Sequence, residues 1–317
     1  MTDTQNEVFK TPVNKIRLFE HGAPGSQNLK LTRKYYTEDM PDGRVKHIVQ
    51  NITDPDIVPY IPDGIGNSTD RQRIPAVLII PGGAFRRLVY NFEGEDVAKW
   101  LNSMGIAAFV LECRLPSDEH DNAEDVPLID AMRAMRVIRG RAQEFGIDEA
   151  KIGVMGFSSG FFMAALLSTA YESDVYADYK YKDEYDKLSA RPDFAVCSYP
   201  VISIDDCIEA GKRYMSEEQV LERISDSKAK ILHKYNPDKL VRPDMPPVFI
   251  CETDDDRTTL SENSVGFYMA ARKAGVSAEL HIFRTGGHGY GCGDDFAQTG
   301  EWKVLFTKWI KSIGIIS

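Results

Sequence analysis

Basic charge is scarce in this chain. Its 38 Lys and Arg stand against 48 Asp and Glu, a formal net charge of −10. Without a concentrated basic face there is nothing to grip a phosphate backbone, so nucleic acid is excluded as an expected partner. Long apolar runs are missing too. No stretch approaches the length of a membrane span, and Met1 to Lys10 lacks the apolar centre of a secretory leader. Cysteine is sparse and odd in number, five in all, with no metal-ligand spacing. Cys113, Cys197 and Cys251 fall in or beside apolar runs and read as reduced core residues, which favours a reducing compartment. These absences predict a cytoplasmic protein with no metal site and no membrane partner. Internal repeats are lacking as well. What remains is ordinary globular composition, 43% hydrophobic and 27% charged over 317 residues, enough for one large α/β domain with an added cap.

The order of elements narrows the fold. Residues 1–70 are turn-rich, with short candidate strands at Asn14–Phe19 and Arg44–Ile52, and Pro59–Thr69 reads as a loop. From there apolar strand runs alternate with helical patterns. Strands are predicted at Ala76–Ile80, Ile106–Leu111, Lys151–Met155, Phe194–Tyr199, Pro247–Cys251 and Ala278–Phe283. Helices are predicted at Asp96–Ser103, Pro127–Phe145 (closed by Gly146), Phe161–Ala170, Asn263–Ala274 and Glu301–Ser312. Such alternation predicts a mostly parallel sheet covered by helices on both faces, a single domain over 1–317. The polar, amphipathic segment 203–245 breaks the rhythm and is expected to form a small helical cap.

The chemistry centres on Gly156-Phe157-Ser158-Ser159-Gly160, which joins a strand run to a helix run. A serine on a sharp strand-to-helix turn has its hydroxyl pushed out of the sheet, and the flanking glycines permit the turn. The plainer alternative is a tight turn whose hydroxyl caps the helix. Serine needs a base to become a nucleophile and a third group to orient that base. Of the six histidines, His288 alone lies in a Gly-rich loop after the last strand, Thr285-Gly286-Gly287-His288-Gly289-Tyr290, and is the candidate base. The strand ending Glu252-Thr253 runs into Asp254-Asp255-Asp256. One of these three is the candidate orienting acid, and spacing does not choose among them; the others are expected to cap the next helix or face solvent. Pro81-Gly82-Gly83-Ala84-Phe85 follows the first strong strand, and the N–H groups of Gly83, Ala84 and Ser159 are the candidate oxyanion donors. The order oxyanion loop, serine, acid, histidine is the one that α/β-hydrolases require. Arg86 and Arg87, just past the loop, read as solvated surface groups.

With these residues in place, the sequence resembles α/β-hydrolase esterases of the acetyl esterase and acetylxylan esterase-like ("xylanase B-like") group, related to dienelactone hydrolases. The resemblance runs from about Asn14 to the C-terminus. It rests on Asn51-Ile52-Thr53-Asp54-Pro55, Pro81–Phe85, Glu93-Gly94, Arg114-Leu115-Pro116, Pro127-Leu128-Ile129-Asp130-Ala131 and the Gly156–Gly160 turn. It continues through Arg191-Pro192-Asp193-Phe194, Tyr199-Pro200-Val201-Ile202, Glu262-Asn263-Ser264 and Gly286-Gly287-His288-Gly289. The family's acid lies four residues after the position of Glu252, ahead of a Val-Pro pair. That register implies Asp256, although Thr259-Leu260 replaces Val-Pro and leaves Asp255 in reserve. Ala84 stands where the family has a third glycine, and Phe161-Phe162 where it commonly has Gly-His; these rings either reshape the acyl pocket or pack on the sheet. The resemblance implies a cofactor-independent serine esterase that removes short acyl groups, acetyl first, from acylated sugars or oligosaccharides. A general short-chain carboxylesterase or feruloyl esterase is the alternative, and a non-catalytic binding protein of the same fold the more distant one.

Overall fold

Apolar runs of five to seven residues, separated by helical patterns, become the strands of one twisted sheet. In the computed structural model, residues 9, 13–65, 73–213, 216–223, 226–293 and 298–317 are described. The N-terminal residues 1–8 and the 66–69 part of the expected loop lie outside that set. In chain order the elements are β1 (Ile16–Arg17), β2 (Lys34–Asp39), β3 (Val45–Gln50), β4 (Asp56–Tyr60), β5 (Ile74–Ile80), β6 (Leu88–Val89), α1 (Asp96–Ser103) and β7 (Ala107–Glu112). Then come α2 (Val126–Gly140), α3 (Ala142–Phe145), β8 (Ile147–Phe157), α4 (Ser159–Ala170) and β9 (Ala195–Ser198). The chain ends with α5 (Ile204–Lys212), α6 (Glu217–Arg223), α7 (Asp226–Lys234), β10 (Val248–Thr253), α8 (Ser261–Lys273), β11 (Ala278–Phe283) and α9 (Trp302–Ser312).

The large sheet has the order β1-β4-β7-β5-β8-β9-β10-β11. From β7 to β11 all pairings are parallel, while β1 and β4 close one edge antiparallel. Every residue of β7, β9 and β10 is buried, so these strands read as unbroken apolar runs rather than alternating ones. The step from β5 through α1 to β7 runs one way along the sheet; every later step runs the other way. Right-handed crossovers therefore set α1 on one face and α2, α4 and α8 on the opposite face. Ring contacts agree: Trp100 of α1 meets Trp302 of α9 at 4.9 Å, and Phe161 of α4 meets Phe267 of α8 at 5.7 Å. The reversal falls between the neighbours β5 and β8. At such a switch point the chain leaves two adjacent strands in opposite directions and opens a crevice at their C-terminal ends.

The N-terminal segment is more strand-rich than its sequence suggests. β4 joins the large sheet beside β7, and β2 pairs with β3 in a separate sheet with β6. β2 reads Lys-Tyr-Tyr-Thr-Glu-Asp, too polar to register as a strand by apolar pattern. The single helix expected over 127–145 breaks after Gly140, where a Cβ would come within 2.3 Å of the Tyr185 ring; Gly146, at φ 66°, closes the short α3 that follows. Segment 203–245 carries the helices α5, α6 and α7. Two of the motif stretches meet in the core. Arg114 is fully buried, with Nη2 donating to Asp130 Oδ1 at 2.7 Å and its backbone N–H to Oδ2 at 2.8 Å. Burial pushes the Asp130 carboxyl up, against the pull of the Arg114 guanidinium.

Candidate active site

Ser158 sits between β8 and α4 with φ 53° and ψ −120°, a conformation that costs a residue with a side chain of order 1–3 kcal/mol. Its neighbours show why the turn is built of glycine. A Cβ on Gly156 would lie 2.2 Å from Gly160 O, and one on Gly160 would lie 2.0 Å from Ile80 O. The start of α4 thus packs backbone to backbone on β8 and β5, which only glycine allows. Ser158 N–H donates to Ser198 O at 3.1 Å, fixing the turn to the end of β9.

His288 reaches this turn from the loop after β11. Gly286, Gly287, Gly289 and Gly291 all have positive φ, so the loop folds back sharply over the sheet edge. His288 Nε2 lies 2.9 Å from Ser158 Oγ, and Nδ1 lies 2.7 Å from Asp256 Oδ2. The Asp256 carboxyl is buried and held on every side. Oδ1 accepts from the N–H groups of Thr258 and Thr259 at 2.7 and 2.9 Å, and Oδ2 accepts from Thr259 Oγ1 at 2.9 Å. Burial alone would raise its pKa; the bond to His288, the imidazole's charge and the two N–H donors outweigh burial and hold the carboxyl below its ordinary value.

The aspartate run divides by direction. Asp255 turns away from the imidazole ring, and its Oδ1 accepts from Gly286 and Gly287 N–H at 2.9 and 2.8 Å. Asp255 is exposed, as expected of a spare acid, and in addition pins the histidine loop. Asp254 lies 3.5 Å from Ser261 Oγ.

The Pro81–Phe85 loop lies against the serine: a Cβ on Gly82 would come within 2.9 Å of Ser158 Cβ. Gly83, Ala84 and Phe85 all take positive φ (143°, 58° and 62°). The Gly83 N–H is directed at Ser159 Oγ, 3.1 Å away. Phe161 and Phe162 are fully buried, and Phe162 packs edge-on to Phe85 at 5.6 Å, so both rings serve the core beneath the loop. Arg87 pairs with Glu38, and Arg86 is exposed.

Sequence reasoning passed over several buried polar groups here. Thr259 replaces an apolar family position and braces Asp256. Glu252 is buried at the end of β10; burial, and then the Asp256 charge, push its carboxyl well up. Glu93 and Tyr199 appeared only as pieces of motifs, yet Glu93 Oε2 accepts from Gly82 N–H at 2.8 Å and Oε1 from the Tyr199 hydroxyl at 3.0 Å. Glu93 stands beside Glu95 and Asp96 in an acidic helix entry, so its sequence neighbours gave no sign that it alone would be buried. Nothing local marked Thr259.

Comparison with known proteins gives concordant results. A family profile described as BD-FAE matches residues 65–270. An acetylxylan esterase of Xylanibacter ruminicola is 30% identical over 240 residues, which is 75% of this chain and 45% of that protein. An endo-1,4-beta-xylanase B of Butyrivibrio fibrisolvens is 30% identical over 227 residues, 71% of this chain and 34% of that protein. The chain thus spans less than half the length of these curated relatives. The crystal structure of an acetyl ester-xyloside bifunctional hydrolase from Caldicellulosiruptor lactoaceticus matches with TM-score 0.72 and 34% identity, over 96% of this chain and 97% of that one. A carboxylesterase from Lactobacillus plantarum shares the fold, with TM-score 0.66 and 20% identity over 90% of this chain and 99% of that one. Among the described residues no helix is long and apolar enough to cross a membrane.

Proposed function

The chain belongs to the BD-FAE family and has the α/β-hydrolase fold, and from that premise we propose that it is a serine carboxylic-ester hydrolase removing short acyl groups, chiefly acetyl, from acylated sugars. The observation that carries the chemistry is the unbroken line from Ser158 Oγ to His288 Nε2 at 2.9 Å and from His288 Nδ1 to Asp256 Oδ2 at 2.7 Å. Ser158 Oγ attacks the ester carbonyl while its proton passes to His288 Nε2. Asp256 holds the tautomer that leaves Nε2 free to accept, and stabilises the imidazolium. The oxyanion takes the N–H groups of Gly83, Ala84 and Ser159; the Gly83 N–H exchanges the Ser159 hydroxyl for it. The tetrahedral species collapses, and the alcohol leaves with the proton from His288. Water then gives a proton to His288 and attacks the acyl-enzyme, releasing the carboxylate and restoring Ser158.

The acetyl and sugar parts draw support from the names of the relatives, an acetylxylan esterase and an acetyl ester-xyloside hydrolase. Ser158→Ala should lower kcat on p-nitrophenyl acetate by about 10³–10⁶-fold and abolish labelling by a fluorophosphonate. Unchanged turnover and labelling in that variant would remove the assignment. Acetate release from acetylated xylo-oligosaccharides, set beside a chain-length series of simple esters, tests the substrate. A preference for the simple esters would leave a general short-chain carboxylesterase.

A further inference from the structure

Glu93 lies in a single π-helical turn, Asn91–Glu95, just ahead of α1, and only 5% of it is exposed. The mechanism above gives it no task, yet its two oxygens face two different loops. Oε2 accepts from Gly82 N–H at 2.8 Å, in the loop after β5. Oε1 accepts from the Tyr199 hydroxyl at 3.0 Å, just past β9. That hydroxyl in turn accepts from Gly291 N–H at 3.2 Å, in the loop that carries His288. The Tyr199 ring stands edge-on to the His288 imidazole at 5.0 Å, and its backbone is held at φ 40°, where an aromatic residue stays only under constraint. A Cβ on Gly82 would meet Glu93 Oε2 at 2.8 Å and Ser158 Cβ at 2.9 Å, so carboxyl and nucleophile flank the same backbone atom.

We propose that Glu93 is a positioning residue whose buried carboxylate ties the Gly82–Gly83 loop and, through Tyr199, the His288 loop around Ser158, and whose negative charge favours the imidazolium that His288 becomes. The inference rests on the triad reading given above. An apolar side chain would fill the same space without the cost of burying a carboxyl, so packing alone does not explain the residue. Both oxygens accept hydrogen bonds, an arrangement made for the ionised form, and charge-assisted bonds are the stronger kind. Burial pushes the Glu93 carboxyl up; His288 opposes first, then the Tyr199 and Gly82 donors, then Lys46 from β3. Of these, His288, Tyr199 and Lys46 are the titratable groups that act on it most strongly. The low dielectric that makes the carboxylate costly also makes its field strong at the imidazole.

Glu93→Gln keeps the shape but turns one acceptor into a donor, so it cannot accept from both Gly82 and Tyr199. The measurement is kcat, KM and the pH profile of p-nitrophenyl acetate hydrolysis, with Ser158→Ala and Tyr199→Phe alongside. In Glu93→Gln, kcat is expected to fall about 10–100-fold with KM within about threefold, less than the loss from deleting an oxyanion donor itself. The acid limb of kcat/KM should move about one unit to lower pH, because loss of a nearby negative charge makes the imidazole easier to keep neutral. Tyr199→Phe cuts the tie and keeps the charge: kcat should fall without that downward move. A Glu93→Gln enzyme with an unmoved acid limb and kcat within about twofold of the parent overturns the proposal. Ser158→Ala separates this failure from the other one: if it is dead the esterase reading stands, and if it turns over that reading falls. Should Glu93→Gln not fold, Tyr199→Phe carries the test, and an unchanged kcat in it overturns the positioning role.

Discussion

Asp256→Asn is the substitution whose outcome the geometry specifies most closely. Two backbone donors, Thr258 N–H and Thr259 N–H, converge on Oδ1 at 2.7 and 2.9 Å. In the variant they fix the amide oxygen at that position, because the amide nitrogen has no lone pair to offer them. The NH₂ group is then forced into the place of Oδ2, 2.7 Å from His288 Nδ1. It donates to Nδ1, which must give up its own proton, and the imidazole moves to the tautomer carrying hydrogen on Nε2. That hydrogen points at Ser158 Oγ, and the base can no longer accept. Packing is unchanged, so the fold should survive while kcat on p-nitrophenyl acetate drops by about 10⁴-fold, roughly 5.5 kcal/mol of barrier. Asp255→Asn is the paired control. Its amide oxygen still accepts from Gly286 and Gly287 N–H, the bonds that Asp255 Oδ1 makes, so kcat should stay within about fivefold. If Asp256→Asn kept more than about a tenth of kcat while remaining folded, the tautomer argument would be wrong. If Asp255→Asn collapsed instead, the orienting acid would be the neighbour.

Two further substitutions test the scaffold. Gly160→Ala would drive a methyl group to 2.0 Å from Ile80 O and 2.8 Å from Pro81 C, both backbone atoms that cannot swing aside. The expected cost is at least about 1–3 kcal/mol, read as a lowered Tm, together with a loss of kcat as the oxyanion loop is pushed off the serine; an unchanged Tm refutes the packing. Asp118 is pushed up to about 6 by burial, partly opposed by the Ile52 N–H that its carboxylate accepts. A carboxyl raised in the folded state contributes stability below its unfolded value and loses it as pH rises through about 6. Asp118→Asn should therefore raise Tm relative to the parent at pH 8 and give little or no gain at pH 4; a gain equal at both pH values would show that burial of the charge is not the cause.

Much of the architecture was readable because parallel strands buried on both faces leave continuous apolar runs, and β5, β7, β9 and β10 are such runs. The strands missed were those whose partners sit elsewhere. Polar β2 is stabilised by its antiparallel register with β3, and β4 by its place beside β7. β2 carries no apolar pattern that a local reading could detect, and in β4 the short Ile57-Val58 run is cut by Pro59, which made the residues from 59 onward read as loop although Pro59 and Tyr60 lie in the strand. The site divides in the same way. Ser158 announces itself by glycines on a strand–helix turn, and His288 by a loop in which glycines are needed at positive φ. Phe161 and Phe162 were open between pocket and core until their contacts with Phe267 and Phe85 placed them in the core.

By itself the sequence determined the serine turn, the glycine loops and the order of the chemical groups along the chain, because each depends on backbone conformations that only certain residues adopt within a few positions. Spacing along the chain left three adjacent aspartates open and the family resemblance pointed to Asp256; the tertiary structure has Asp256 reach the imidazole and shows Asp255 pinning the loop beside it. It alone brought Glu93, Gly82, Tyr199 and Gly291 into one hydrogen-bonded line. Those bonds join residues 11, 106 and 92 positions apart, and direction in space at the edge of a folded sheet leaves no imprint on local residue order.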